Sequence, residues 1–158
     1  MTIAVYAGSF DPITNGHLNI LKKSTEIFDK VIIAVAKNIN KTEFLTVEER
    51  IELIKEAVKN IKNVEVDFYD GLTVNYAKTK GANILVRGLR NSSDFEYENE
   101  LAQINSTICP DIKTIFFIAD NKYSFISSSA VREIYKNKGN FSEFVPNNVK
   151  DYLTKHEF

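Results

Sequence analysis

Residues 3–21, IAVYAGSFDPITNGHLNIL, run from an apolar strand into a turn that crowds Gly8, Ser9, Asp11, Pro12, Asn15, Gly16 and His17 ahead of a helix. A tight connection needs only one or two such residues, so this turn is built to hold something. Gly8 and Gly16 let backbone come close to a ligand. His17 falls in the first turn of the following helix, where unpaired amides and the helix dipole favour anions. An imidazole there can donate a hydrogen bond to a phosphate oxygen. A lone turn histidine ordinarily just satisfies its own turn; at the carboxyl end of a strand, inside this turn, the ligand-facing reading is the better one. Asp11 and Pro12 are read as shaping the turn rather than acting in chemistry. Neither G-x-G-x-x-G nor G-x-x-x-x-G-K-[ST] occurs, so this is neither the usual dinucleotide fingerprint nor a P-loop.

Two further stretches carry phosphate chemistry. In LVRGLRNSSDFEYE, Arg87 and Arg90 straddle Gly88 directly after a strand. Planar guanidinium forks bind two phosphate oxygens at once. Asp94 and Glu96, in the first turn of the next helix, are accounted for as complements of its dipole. In YSFISSSAVRE, Ser127, Ser128 and Ser129 precede a helix. One of them must cap it, and together with the free amides they could cradle a phosphate. By itself Lys41, in NINKTEFLT, is a solvated loop lysine, and His156 in the tail is given no role. These residues indicate a phosphate-rich ligand at the carboxyl edge of a sheet. They offer no nucleophile–base pair, no carboxylate dyad and no metal cluster, so the chemistry implied is positioning and charge stabilisation.

The elements that must position them alternate along the chain. IAVYA, VIIAVA, VEVDF, NILVRG and TIFFIA read as strands, mostly apolar on successive residues, as a parallel sheet covered on both faces requires. Between them, Leu18, Leu21 and Phe28 share one helical face, and Thr46 with Glu49 forms a capping box before RIELIKEAV. Further helices are expected over Thr73–Lys80, from near Asp94 to Pro110, after the serines to Gly139, and in the C-terminal segment. The expected fold is a Rossmann-like, doubly wound parallel five-stranded sheet with helices on both faces, a single domain over residues 1–158. Ligands bind outside the carboxyl ends of such strands.

Composition agrees with a globular protein. The chain has 158 residues, 44% of them hydrophobic and 26% charged, with a formal net charge of -1. That balance gives no global attraction to nucleic acid or to anionic membrane. Cys109 is the only cysteine, which excludes an internal disulfide and a cysteine-cluster metal site; it is read as a small apolar filler near a helix end. No Lys or Arg precedes the first strand, so the start does not read as a signal peptide. The longest aliphatic run, VIIAVA, is far too short to span a bilayer. The expected location is the cytoplasm.

TNGH (Thr14–His17) and ISSS (Ile126–Ser129) resemble the paired motifs of the [TH]-x-G-H nucleotidyltransferases. With GSFDPITNGH, RGLRNSSDFEYE and YSFISSS in order, the chain is similar to the bacterial phosphopantetheine adenylyltransferases over essentially its whole length. The related nicotinate-mononucleotide adenylyltransferases and cytidylyltransferases generally have histidine where this chain has Thr14, and lack the RGLR…DFEYE block. The resemblance implies a reaction of ATP, with Mg2+, and 4′-phosphopantetheine, giving dephospho-coenzyme A and pyrophosphate. It implies that Ser9 touches both substrates, and that Lys41, Thr73 (through its backbone) and Arg87 hold phosphopantetheine. It further implies that Phe10, His17, Gly88, Leu89, Arg90, Glu98 and the segment Tyr123, Ser124, Phe125, Ile126, Ser127, Ser128 and Ser129 serve ATP, and that the chains form a homohexamer.

The attacking group would be the substrate's own phosphate monoester. Its second pKa is roughly 6, so it is mostly dianionic at neutral pH and needs no general base. Two alternatives stay open: transfer to nicotinate mononucleotide or a phospho-alcohol, and a module that binds ATP without turnover. If Lys41 grips the acceptor, Lys41→Ala raises the Michaelis constant for phosphopantetheine far more than that for ATP in steady-state assays. An equal rise in both would place Lys41 in the triphosphate region.

Overall fold

The structure, a computed structural model, describes residues 1–38, 40 and 42–156. Five parallel strands, β1 (Ile3–Gly8), β2 (Lys30–Ala36), β3 (Val64–Tyr69), β4 (Ile84–Leu89) and β5 (Lys113–Ile118), form one sheet in the order β3-β2-β1-β4-β5. Six helices connect and flank them: α1 (Asn15–Thr25), α2 (Val47–Val58), α3 (Thr73–Thr79), α4 (Ser92–Ile108), α5 (Ser128–Lys136) and α6 (Asn147–Lys155). All five expected strands and all six expected helices are present. One short 3-10 turn, Asn121–Tyr123, carried no signal in the sequence.

Continuous apolar runs make the strands two-sided. Ala4, Tyr6, Val31, Ile33 and Val35 bury on one face with Leu21, Ile54, Val131 and Val149 from the helices. Val5, Ala7, Ile32, Ala34 and Leu85 bury on the other with Val74, Ala77 and Cys109. The cysteine is therefore the apolar filler expected, at the C-terminal cap of α4. Two boundaries differ from expectation. β4 holds Arg87 and Gly88, as NILVRG implied, and runs one residue further to Leu89, so the loop begins only at Arg90, and α4 begins two residues before Asp94 because Asn91 caps the amide of Asp94 at 2.9 Å.

The strand order reverses between β1 and β4, which is where a doubly wound sheet opens a crevice. Their ladder pairs Ala4 with Ile84, Val5 with Leu85 and Tyr6 with Val86, and goes no further. Beyond it, both strands continue unpaired with each other for two or three residues. Gly88 is needed on the β4 side of this opening. A Cβ there would lie 2.8 Å from Cγ1 of Ile20, so only glycine lets α1 sit this close over the strand.

Candidate active site

The crevice is a cleft of about 370 Å³ lined by Tyr6 to Phe10, Thr14, Gly16, His17, Ile20, Arg87, Gly88, Arg90, Asp94, Glu98, Ala119, Ile126 to Ser129 and Arg132. Its floor is the turn after β1, which other elements hold from behind. The Asp11 carboxylate, buried, accepts the backbone N–H groups of Phe44 and Leu45, each at 2.8 Å. Arg50, 2% exposed, donates to the carbonyl of Ser9 at 2.8 Å. Ser128 and Arg132 donate to the carbonyls of Pro12 and Asp11, both at 2.8 Å. Asp11 thus shapes the turn, as its type suggested. Phe10 adopts a φ of 47°, in the left-handed region that a bulky residue enters only at a cost of order 1 kcal/mol. Its ring packs edge-on against Tyr6 and against His17, with centroids 5.2 and 4.9 Å apart.

T-x-G-H is a capping box with histidine in the place usually taken by Glu or Gln. Thr14, buried, is the N-cap of α1, and its hydroxyl accepts the amide of His17 at 3.3 Å. In return Nδ1 of His17 accepts the amide of Thr14 at 3.0 Å. An Nδ1 that accepts carries no proton, so the proton of the neutral ring sits on Nε2. Burial, reinforced by the positive charges of Arg90 and Arg87, lowers the His17 pKa to about 3. His17 is a neutral donor, not a base.

Both arginines are set before any ligand arrives. Nε and Nη2 of Arg87 donate to the two oxygens of Glu98 at 2.7 and 2.6 Å, and Nη1 donates to the carbonyl of Ala7 at 2.6 Å, just where the ladder ends. Burial opposes the charge of Arg87, but the hydrogen bonds and charge of Glu98 outweigh it and raise its pKa. Nε and Nη2 of Arg90 donate to Asp94 at 2.9 and 3.1 Å, and Nη1 to the carbonyl of Ile126 at 3.1 Å. Asp94 is therefore more than a complement of the α4 dipole. Tyr6, buried in the wall, has its phenol pKa raised by that burial and stays protonated.

At the start of α5 the expected trio of hydroxyls is reduced to two donors. The Ser127 hydroxyl accepts the amide of Ala130 at 3.1 Å and that of Ser129 accepts from Arg132 at 3.2 Å, so both keep their own hydrogens. Ser128 spends its hydrogen on Pro12. The cleft thus gathers Ser9, Phe10, His17, Arg87, Gly88, Arg90, Glu98 and Ile126 to Ser129. Thr73 lies outside its lining, with its hydroxyl 2.7 Å from that of Tyr69, and so do Leu89, Tyr123, Ser124 and Phe125. Lys41 lies outside the described residues. Arg132 was not picked out from the sequence; Glu98 was, as a residue of the nucleotide site but not as the partner of Arg87, and Asp94 only as a complement of the α4 dipole. The spacing Ser128 to Arg132, one helical turn, was the available signal for Arg132.

The cytidylyltransferase-like family model matches residues 5–134. A phosphopantetheine adenylyltransferase of Desulfitobacterium hafniense (strain DSM 10664 / DCB-2) is 50% identical over 95% of this chain and 92% of its own. One of Alkaliphilus metalliredigens is 46% identical over 98% of this chain and 99% of its own.

The chain belongs to the phosphopantetheine adenylyltransferase family.

A solved structure described as a nicotinate-nucleotide adenylyltransferase of Vibrio parahaemolyticus superposes with a TM-score of 0.71 over 98% of this chain and 99% of its own; at 18% identity that likeness concerns the fold alone. Thr14 supplies the hydroxyl that the capping box of α1 uses at its N-cap.

Because the folded pKa of His17 is depressed below that of an unfolded histidine, its neutral ring contributes stability that is fully present above about pH 6.5. That contribution is lost as the pH falls toward about 3. In 15N-detected NMR of the native protein, the His17 ring is expected to remain the Nε2–H tautomer through pH 5. A midpoint near 6.5, or an Nδ1–H ring, would contradict the donor assignment.

Proposed function

We propose that the protein transfers the adenylyl group of ATP to 4′-phosphopantetheine, forming dephospho-coenzyme A and releasing pyrophosphate, in the cytoplasm. The observation that carries this reading is a neutral histidine, its Nε2–H held by a capping box, in one cleft with two pre-set arginines. Family membership supplies the acceptor. In the step itself, an oxygen of the acceptor's phosphate attacks the α-phosphorus, the bond from that phosphorus to the bridging oxygen breaks, and pyrophosphate leaves with the electron pair. Arg87, together with Lys41, holds the attacking dianion in line. His17 donates to the α-phosphate as negative charge builds, a service that matters most in the transition state. Arg90, Arg132, the Ser127 and Ser129 hydroxyls and the first amides of α5 receive the pyrophosphate.

Magnesium is proposed to enter as part of the nucleotide substrate. Among the described residues no three His, Cys, Asp or Glu side chains gather as a metal site, and both carboxylates of the cleft are engaged by arginines. The ion would ride on phosphate oxygens and supply charge neutralisation there. No described helix is long and apolar enough to cross a membrane.

Assembly into a homohexamer is also proposed. Helix α4 leaves Phe95, Tyr97, Ile104 and Ile108 exposed, and Ile118 closes the edge strand β5 at 73% exposure. An apolar surface of that kind is commonly an interface. Sedimentation equilibrium is expected to return close to six times the chain mass of 18.0 kDa, and a monomer at micromolar concentration would refute the assembly.

Pyrophosphate release with ATP and Mg2+ tests the reaction. Release is expected with 4′-phosphopantetheine and not with nicotinate mononucleotide. His17→Ala should lower turnover by roughly 10²–10³ while ATP affinity changes less, the signature of one lost transition-state donor. Release with the mononucleotide alone would overturn the acceptor. ATP binding without release in either assay would favour a non-catalytic module.

A further inference from the structure

Arg50 lies on α2, outside the lining of the cleft, yet it is only 2% exposed. Its fork is spent on three acceptors. Nη1 donates to the Ser9 carbonyl at 2.8 Å, Nη2 to Glu43 at 2.7 Å and Nε to the Thr46 carbonyl at 3.3 Å. A buried charge answered by Glu43, a carboxylate with 35% of its side chain exposed, is a costly way to pin a helix. An apolar side chain at this position could join Val47, Leu53 and Ile54, which α2 already buries, without that cost. It could not hold the carbonyl of Ser9. That carbonyl decides the direction of a neighbouring donor. The Ser9–Phe10 peptide is planar and trans, so the Ser9 C=O and the Phe10 N–H point to opposite sides. With the carbonyl turned to Arg50, the amide faces away from α2. Phe10 lines the cleft and is 2% exposed, and among the described residues nothing accepts from its amide. Buried amides are almost always paired. One left over in the wall of a cleft is matched by an acceptor that arrives with the ligand.

We propose that Arg50 is a positioning residue: by gripping the Ser9 carbonyl from behind, it aims the Phe10 amide into the cleft as a donor to phosphate. Arg50 touches no substrate and acts only through that peptide. The φ of 47° at Phe10 is a conformation that a bulky residue keeps only where its surroundings impose it, and the grip on Ser9 is one of those constraints. Glu43 and the Thr46 carbonyl fix the guanidinium in turn. The amide is therefore set before ATP arrives, and little freedom is lost when it binds.

This inference rests on the proposed use of ATP, and its test separates the two. Protein labelled with 15N-phenylalanine is titrated with ATP and Mg2+, without acceptor, and the Phe10 amide is followed by NMR. In the wild type it is expected to move downfield as ATP saturates the site. An unmoved Phe10 amide in protein that binds ATP would overturn the proposal whatever the variants do. Arg50→Met removes the donors and keeps an apolar side chain, and thermal denaturation confirms that it is folded. It is expected to lose most of the Phe10 shift and about tenfold in ATP affinity by calorimetry, with a matching fall in kcat/KM for ATP. The Nε2–H tautomer of His17 is expected to persist. Wild-type affinity and turnover in this variant would overturn the proposal. Loss of the His17 tautomer along with the Phe10 shift would reduce Arg50 to scaffolding and overturn it equally. Arg50→Lys, which keeps the charge, serves where Arg50→Met does not fold. In each variant the loss of ATP affinity is expected to track the loss of the Phe10 shift, and one falling without the other refutes the coupling. If the wild type binds ATP but does not use phosphopantetheine, the acceptor reading fails. The Phe10 shift and the ATP affinity then still decide the role of Arg50, since neither needs the acceptor.

Discussion

One hydrogen bond, from the amide of Thr14 to Nδ1 of His17, holds the site's logic together. It satisfies an amide that the first turn of α1 would otherwise leave unpaired, so it belongs to the helix as much as to the chemistry. It turns the imidazole so that the proton must be on Nε2. It also ties the imidazole ring to the start of a helix whose opposite contacts, Ile20 against Gly88, press it onto β4. A side chain used as a cap has little freedom to turn, so the donor is in place before the reaction needs it.

Around that bond the cleft works by commitment rather than by reactivity. Every strong donor has a partner that fixes it: Arg87 with Glu98 and Ala7, Arg90 with Asp94 and Ile126, Arg132 with Asp11 and Ser129. The sheet makes room for this by ending the β1–β4 ladder at Tyr6 and Val86. The carbonyl of Ala7, no longer needed for pairing, becomes the anchor of Arg87. A reaction in which the nucleophile arrives already ionised asks its enzyme for little beyond such placement. Among the described residues of the cleft both carboxylates are taken up by arginines and the imidazole is neutral, an arrangement that suits a nucleophile already ionised.

Much of this was legible in the residues. Unbroken apolar strands between amphipathic segments indicated a doubly wound sheet, because only burial on both faces tolerates VIIAVA. The crowded turn, the paired arginines and the serine run marked the three walls of the cleft. Other features were not legible. Asp94 is by type an ordinary first-turn acid and Glu98 an ordinary helix acid one turn further on, and only packing of α4 along the sheet edge turns them toward the arginines. Three serines in a row look like three donors. The hydrogen of Ser128 is lost to Pro12, a residue 116 positions away in the chain.

What the sequence determined by itself is local: the strands and helices, the capping box of TNGH, and the chemical type of each wall, because these depend on side-chain pattern and on neighbours within one turn. The tertiary structure decided which donors remain available and in what state. The proton of His17 is settled by the local cap, but the lowering of its pKa comes from burial and from two arginines that are distant in sequence. Hydrogen-bond capacity is finite at each atom. Its allotment among partners far apart along the chain is settled only when folding brings them together.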